Sequence, residues 1–153
     1  MDSRISTLKH INLVHRLLTT VSVEISDRGL HHDASKLESP EKEIFDEFIP
    51  RLERVEYGSA EYYELISQMK PAIDHHNAHN RHHPEFHDDG IHGMTLVDLI
   101  EMLCDWKAAT MRTEPHGNVH KSLDIAFERQ RIPQPLYRIL KNTINEWWPN
   151  EGS

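Results

Sequence analysis

The chain has a single cysteine, Cys104, among its 153 residues. An intrachain disulfide is therefore impossible, and a sulfur-ligated zinc knuckle is excluded. No apolar run approaches the length needed to span a bilayer, so no membrane partner is expected. The opening residues Met1-Asp2-Ser3-Arg4-Ile5 lack the basic and apolar regions of a secretory signal. These absences fit a cytoplasmic protein. Positive charge is also scarce: 17 Lys and Arg stand against 25 Asp and Glu, a formal net charge of −8. A protein that coats nucleic acid needs clustered cations, so an extended nucleic-acid surface is not expected. A small anionic substrate is compatible with this charge, because one local cationic site or a bound divalent ion suffices for it. The acidic balance supports solubility but selects no partner, and a homo-oligomer is left open.

What the sequence does hold is helical periodicity from end to end, without repeats or low-complexity linkers. At this length an all-α, compact, single domain spanning residues 1–153 is expected. Ile5, Leu8, Ile11, Leu13, Val14, Leu17, Leu18, Val21 and Ile25 recur at helical spacing and predict a helix from about Ile5 to Asp27. Gly29 is expected to end it as a left-handed cap. Ser39 and Pro40 read as the cap and first residue of a second helix, with Glu41 and Glu43 suiting its positive end and Pro50 stopping it. Ser59 can cap a helix running from Ala60 towards Asn80, kinked or divided at Pro71. Residues 81–94, rich in His, Pro, Asp and Gly, read as a loop. Thr95 and Asp98 form a capping pair for a strongly apolar helix from Leu96 to Met111. Helices from about Val119 to Arg129 and Pro135 to Trp148 close the domain.

Chemistry concentrates in four segments. They are His10 or His15, the dipeptide His32-Asp33, the histidine-dense stretch from His75 to His87, and Asp105. Imidazoles and carboxylates with almost no thiolate are the ligand set of a catalytic transition-metal site. Asp105 sits on the apolar central helix, where a buried carboxylate needs a metal, a cation or donors; pairing with Lys107 or Arg112 is the plainer alternative. Lys36 follows Asp33 by three residues, so a helical turn there puts both on one face. The aspartate could then bind metal while the lysine meets a phosphate. His75 and His76 point about 100° apart on a helix, so not every histidine of the cluster can be a ligand, and some, with Asn80 and Glu85, are expected to hold ligands in place. A histidine-rich surface loop is the plain alternative, and His79, His87 and His92 fit it best.

Together the residues resemble the HD superfamily of metal-dependent phosphohydrolases, most closely a compact group of phage and bacterial HD-type proteins. The matching pattern is His10-x-x-x-Val14, His32-Asp33-x-Ser35-Lys36, Glu47-Phe48, His76-x-x-x-Asn80-x-His82-His83 and Met102-Leu103-x-Asp105-Trp106-x-Ala108. The resemblance favours His10 over His15 and His76 over His75. It implies an HD-type helical bundle and the metal ligands His10, His32, Asp33, His76, one or both of His82 and His83, and Asp105. If the chain is phage-encoded, its compartment would be the host cytoplasm.

The expected activity is hydrolysis of a nucleotide or related phosphate ester by a metal-activated water. One or two divalent ions are implied, with Mn, Fe, Co, Ni or Zn suited to the nitrogen-rich set. Asp33 would bridge the ions, Lys36 and Arg81 would stabilise phosphoryl oxygens, Asn80 would touch substrate, and His83 would position substrate or transfer protons. Two other classes carry the same ligands: a di-iron oxygenase, and a non-enzymatic, metal-stabilised binding protein such as a phage factor that engages a host protein.

Overall fold

The computed structural model describes residues 3–56, 58–112 and 117–149. They fold as an all-α protein of seven helices joined by turns, with no strand among the described residues. By their internal contacts the residues divide into two compact units, 1–32 and 33–153.

The first unit is one long helix, α1 (Ser3–His31). It runs straight through Gly29, which was expected to cap it. The left-handed residue comes four positions later, at Asp33, with φ 58° and ψ 18°. Aspartate tolerates this conformation better than most residues, because its short polar side chain can bond locally. Non-glycine residues held there cluster at functional sites.

The second unit begins at Asp33 with a 3₁₀ turn, Ala34–Leu37. Helix α2 (Glu41–Leu52) follows, starting one residue later than expected and without a side-chain cap. It continues past Pro50 rather than stopping before it. A proline two residues from a helix end loses one ladder bond where the ladder is about to finish, which limits the usual disruption. Ser59 caps α3 (Ala60–Gln68) by accepting a hydrogen bond from the Tyr62 amide. Pro71 divides the next run as anticipated, and α4 (Lys70–His79) begins one residue before it.

Two short 3₁₀ turns, Pro84–Phe86 and Gly90–Gly93, carry the chain to α5 (Leu96–Arg112). The expected capping pair is present: the Asp98 amide donates to Thr95 Oγ1, and the Thr95 amide and hydroxyl donate to Asp98 Oδ2. Helices α6 (Val119–Arg129), capped by Asn118, and α7 (Gln134–Trp147) complete the unit.

Two apolar clusters hold the second unit together. Phe48, Leu65 and Met69 join α2, α3 and α4. Leu99, Met102, Leu103, Val119, Leu123, Leu140 and Ile144 join α5, α6 and α7. Each fully buried side chain of this kind contributes about 1.5–3 kcal/mol. The residues of the candidate site come from the edges of these clusters, His76 from α4 and Asp105 from α5. Among the described residues no helix is long and apolar enough to cross a membrane.

Candidate metal centre

Asp33 opens the site. Its left-handed backbone starts the turn in which the Lys36 amide bonds the Asp33 carbonyl at 2.9 Å. That turn puts Lys36 on the same face, as the three-residue spacing predicts, and Lys36 Nζ meets Asp33 Oδ2 at 2.6 Å. The lysine takes one carboxylate oxygen and leaves the other facing inward. There Asp33 Oδ1 stands 3.2 Å from His76 Nε2 and 3.5 Å from His82 Nε2.

His76 reaches this point from the buried face of α4. Its Nδ1 donates to Oε2 of Glu41 at 3.0 Å. Glu41 is fully buried at the start of α2 and also accepts from Ser35 Oγ (3.0 Å) and His75 Nδ1 (2.8 Å). Burial pushes the Glu41 carboxyl up, but the bonds from His75, Ser35 and His76 outweigh it and hold the pKa below its ordinary value. An ionised carboxylate only accepts, so Nδ1 of His76 carries the proton of that bond, and its Nε2 faces Asp33. That Nε2 is buried and makes no hydrogen bond. Asn80 braces the arrangement by donating to Ser35 Oγ and to the His76 carbonyl, both at 2.8 Å.

His82 repeats the device from the other side. It is buried in the turn after α4, with Nδ1 3.2 Å from Glu101 Oε1 on α5. A carboxylate behind the distal nitrogen of an imidazole fixes its tautomer and raises its basicity as a metal ligand. His83 packs edge-on against His76, with ring centroids 4.9 Å apart, and lies 4.2 Å from the His82 ring. Burial first, and then the neighbouring His82 and His76, depress the His83 pKa to about 4. His83 is therefore neutral at physiological pH, the form that can ligate.

Ligand atoms of His76, His82 and His83 lie within 4.8 Å of one another, and an Asp105 oxygen lies equally close to His82. The donor set fits a divalent transition ion: three imidazoles, two with carboxylates behind them, and two carboxylates within reach. Concentrated negative charge around buried imidazoles is also the electrostatic setting that a cation relieves. Beside these ligands opens a cavity of about 370 Å³, lined among others by His82, His83, Asp105, Trp106, Ile125 and Arg129.

The remaining expectations distribute differently. Asn80 supports His76 and Ser35 rather than lining the cavity. Arg81, expected at the substrate, is instead held by both oxygens of buried Asp98, at 3.2 and 3.3 Å. The cation on the cavity wall is Arg129. His10 lies on α1, whose unbroken run to His31 separates the two by about 32 Å along the axis. His32, the last residue of the first unit, immediately precedes Asp33. The structure thus keeps His10 and His32, expected in one ligand set, far apart along their unit.

Two carboxylates went unread in the sequence. Glu41 looked like a helix-start acid, and its burial depends on the turn at Asp33. Glu101 left a signal, since it precedes Asp105 by four residues and so shares its helix face.

No curated protein and no solved structure matches this chain. A family model covers residues 2–146, and by that match the chain belongs to a family of unknown function, DUF5662.

Proposed function

We propose that this protein is a metal-dependent phosphohydrolase acting on a nucleotide or a related phosphate ester. The observation that carries the reading is the convergence of His76 Nε2 and His82 Nε2 on one oxygen of Asp33, 3.2 and 3.5 Å away, with a glutamate behind each imidazole. The open cavity beside His82, His83 and Asp105 supports a catalytic rather than a structural ion, because structural sites are closed. A divalent ion held by these residues would supply Lewis acidity at the site.

The chain's own residues do the rest. Glu41 and Glu101 hold the two imidazoles in the tautomer that presents Nε2. Lys36 takes Asp33 Oδ2 and decides which oxygen faces the imidazoles. Neutral His83 offers a ring nitrogen at the cavity wall, for ligation or for accepting a proton. Arg129 brings positive charge to the same cavity for an anionic ester. Asp105 faces it from α5. His10 and His32 belong to the first unit, along which α1 keeps them apart.

The test is metal analysis of the purified protein combined with phosphate release from nucleoside monophosphates, triphosphates and cyclic nucleotides. The expected result is a bound divalent ion, turnover of at least one ester, and loss of both in Asp33→Asn. A folded, metal-loaded protein that releases no phosphate from the whole panel would overturn the reading.

A further inference from the structure

We propose that His75 and His79 form a second metal site on the surface of α4, for one zinc, nickel or copper ion, coupled to the buried centre through Glu41. The site goes beyond the phosphohydrolase reading and does not depend on it. The two residues stand four apart on α4, so they share a face. Their rings are stacked, with centroids 3.9 Å apart and planes 14° apart. Both Nδ1 atoms are already engaged. His79 Nδ1 donates to the His75 carbonyl at 2.7 Å, and His75 Nδ1 donates to Glu41 Oε1 at 2.8 Å. In a neutral ring a proton on Nδ1 leaves the lone pair on Nε2, so each imidazole offers that nitrogen to a ligand. Two imidazoles at this helical spacing are a recurrent zinc-binding pair, and imidazole suits zinc, nickel and copper better than magnesium or calcium.

The surroundings also favour a cation. His79 is the last residue of α4, where the partial negative charge of the helix end collects. It is exposed, and the His75 side chain keeps 33% exposure, so an ion enters from solvent and holds water in its remaining positions. Asp74 is not a third ligand, because Lys70 holds both of its oxygens, at 2.7 and 2.6 Å. Glu41 then links the pair to the interior: one of its oxygens takes His75 Nδ1 and the other takes His76 Nδ1 at 3.0 Å. An ion on His75 Nε2 makes the Nδ1–H more acidic, draws Glu41 towards His75 and weakens its bond to His76. His76 becomes a poorer ligand, since the carboxylate behind it sets its basicity. Repulsion between two dications acts in the same direction. The coupling is therefore negative and reciprocal, each ion loosening the other.

Calorimetric titration with zinc chloride, with bound metal counted by elemental analysis, tests both parts. The outer ion, held by only two imidazoles, dissociates during purification and is seen on adding zinc. The native protein should take two zinc ions, the second more weakly. His79→Ala, at an exposed position, should lose the weaker ion, keep the tighter one and leave the Tm unchanged. Asp33→Asn, which empties the buried centre, should keep the weaker ion and bind it at least about fivefold tighter. No second zinc in the native protein, or a weaker ion that survives His79→Ala, would overturn the outer site. An outer Kd unchanged in Asp33→Asn would overturn the link through Glu41. A single zinc, lost in His79→Ala and kept in Asp33→Asn, would uphold the outer site and defeat the buried centre.

Discussion

His76 and His82 perform the same task in different surroundings. Each presents Nε2 to Asp33 Oδ1 and has a glutamate at Nδ1. Behind His76 the network is closed: Glu41 is fully buried and accepts three hydrogen bonds, from Ser35, His75 and His76. His82 leans on Glu101, which retains 12% exposure, and it lines the cavity together with His83 and Asp105. One imidazole is therefore braced by a fully buried carboxylate, and the other borders open space. On the proposed reading, the Glu41 side sets geometry and the His82 side is where a substrate would enter.

Asp33 joins the two sides, and losing it should have the largest effect. Asp33→Asn is the informative change, since asparagine keeps the left-handed backbone comfortable while removing the charge. Metal content should fall to background and turnover with it, as measured by elemental analysis and phosphate release. Retained metal would separate the aspartate from both imidazoles.

Glu41→Gln should follow. It disturbs three donors at once, and loss of a carboxylate behind a ligating histidine costs about 10–100-fold in metal affinity. Because the group is buried, about 1–3 kcal/mol of stability should also go, read by denaturant unfolding. Glu101→Gln should weaken metal to a similar degree while costing less stability, because its surroundings are less closed. Equal stability losses in the two variants would erase the proposed distinction. Smaller still is Lys36→Ala. This pair is partly exposed, at 39% and 21%, so its loss should cost about 1 kcal/mol or less and leave most of the metal in place. Substantial metal loss would mean that Lys36 alone sets the rotamer of Asp33.

Much of this fold is written locally. Ser59, Pro71 and the Thr95–Asp98 pair mark helix boundaries through bonds within a few residues, and the structure honours each of them. The end of α1 is less local. Glycine permits a left-handed turn but does not demand one, and the helix passes through Gly29 to turn at Asp33. In the site, His76, His82, His83 and Asp105 could be picked out because buried or clustered imidazoles and carboxylates need an explanation wherever they occur. Glu41 could not be. Its partners His75 and His76 lie 34 and 35 residues away, and only the packing of α2 against α4 joins them. Arg81 is a similar case: its charge reads as available in the sequence, and the fold pairs it with Asp98, seventeen residues on.

Acid offers the gentlest perturbation. The His83 pKa of about 4 lies below its ordinary 6.5, so between those values the unfolded chain takes up a proton that the folded chain refuses. Stability of the metal-free protein should therefore fall as pH drops through that window. The lowered Glu41 pKa adds a further loss at more acidic pH, once its carboxylate is protonated. Melting curves of chelator-treated protein between pH 7 and 4 check this, and a flat Tm would contradict it.

The most direct measurement is anomalous diffraction from a crystal grown with manganese or zinc. The account predicts a peak about 2.0–2.2 Å from Asp33 Oδ1, His76 Nε2 and His82 Nε2. A well-ordered crystal with no peak among these three atoms, or with the ion held elsewhere, would contradict it.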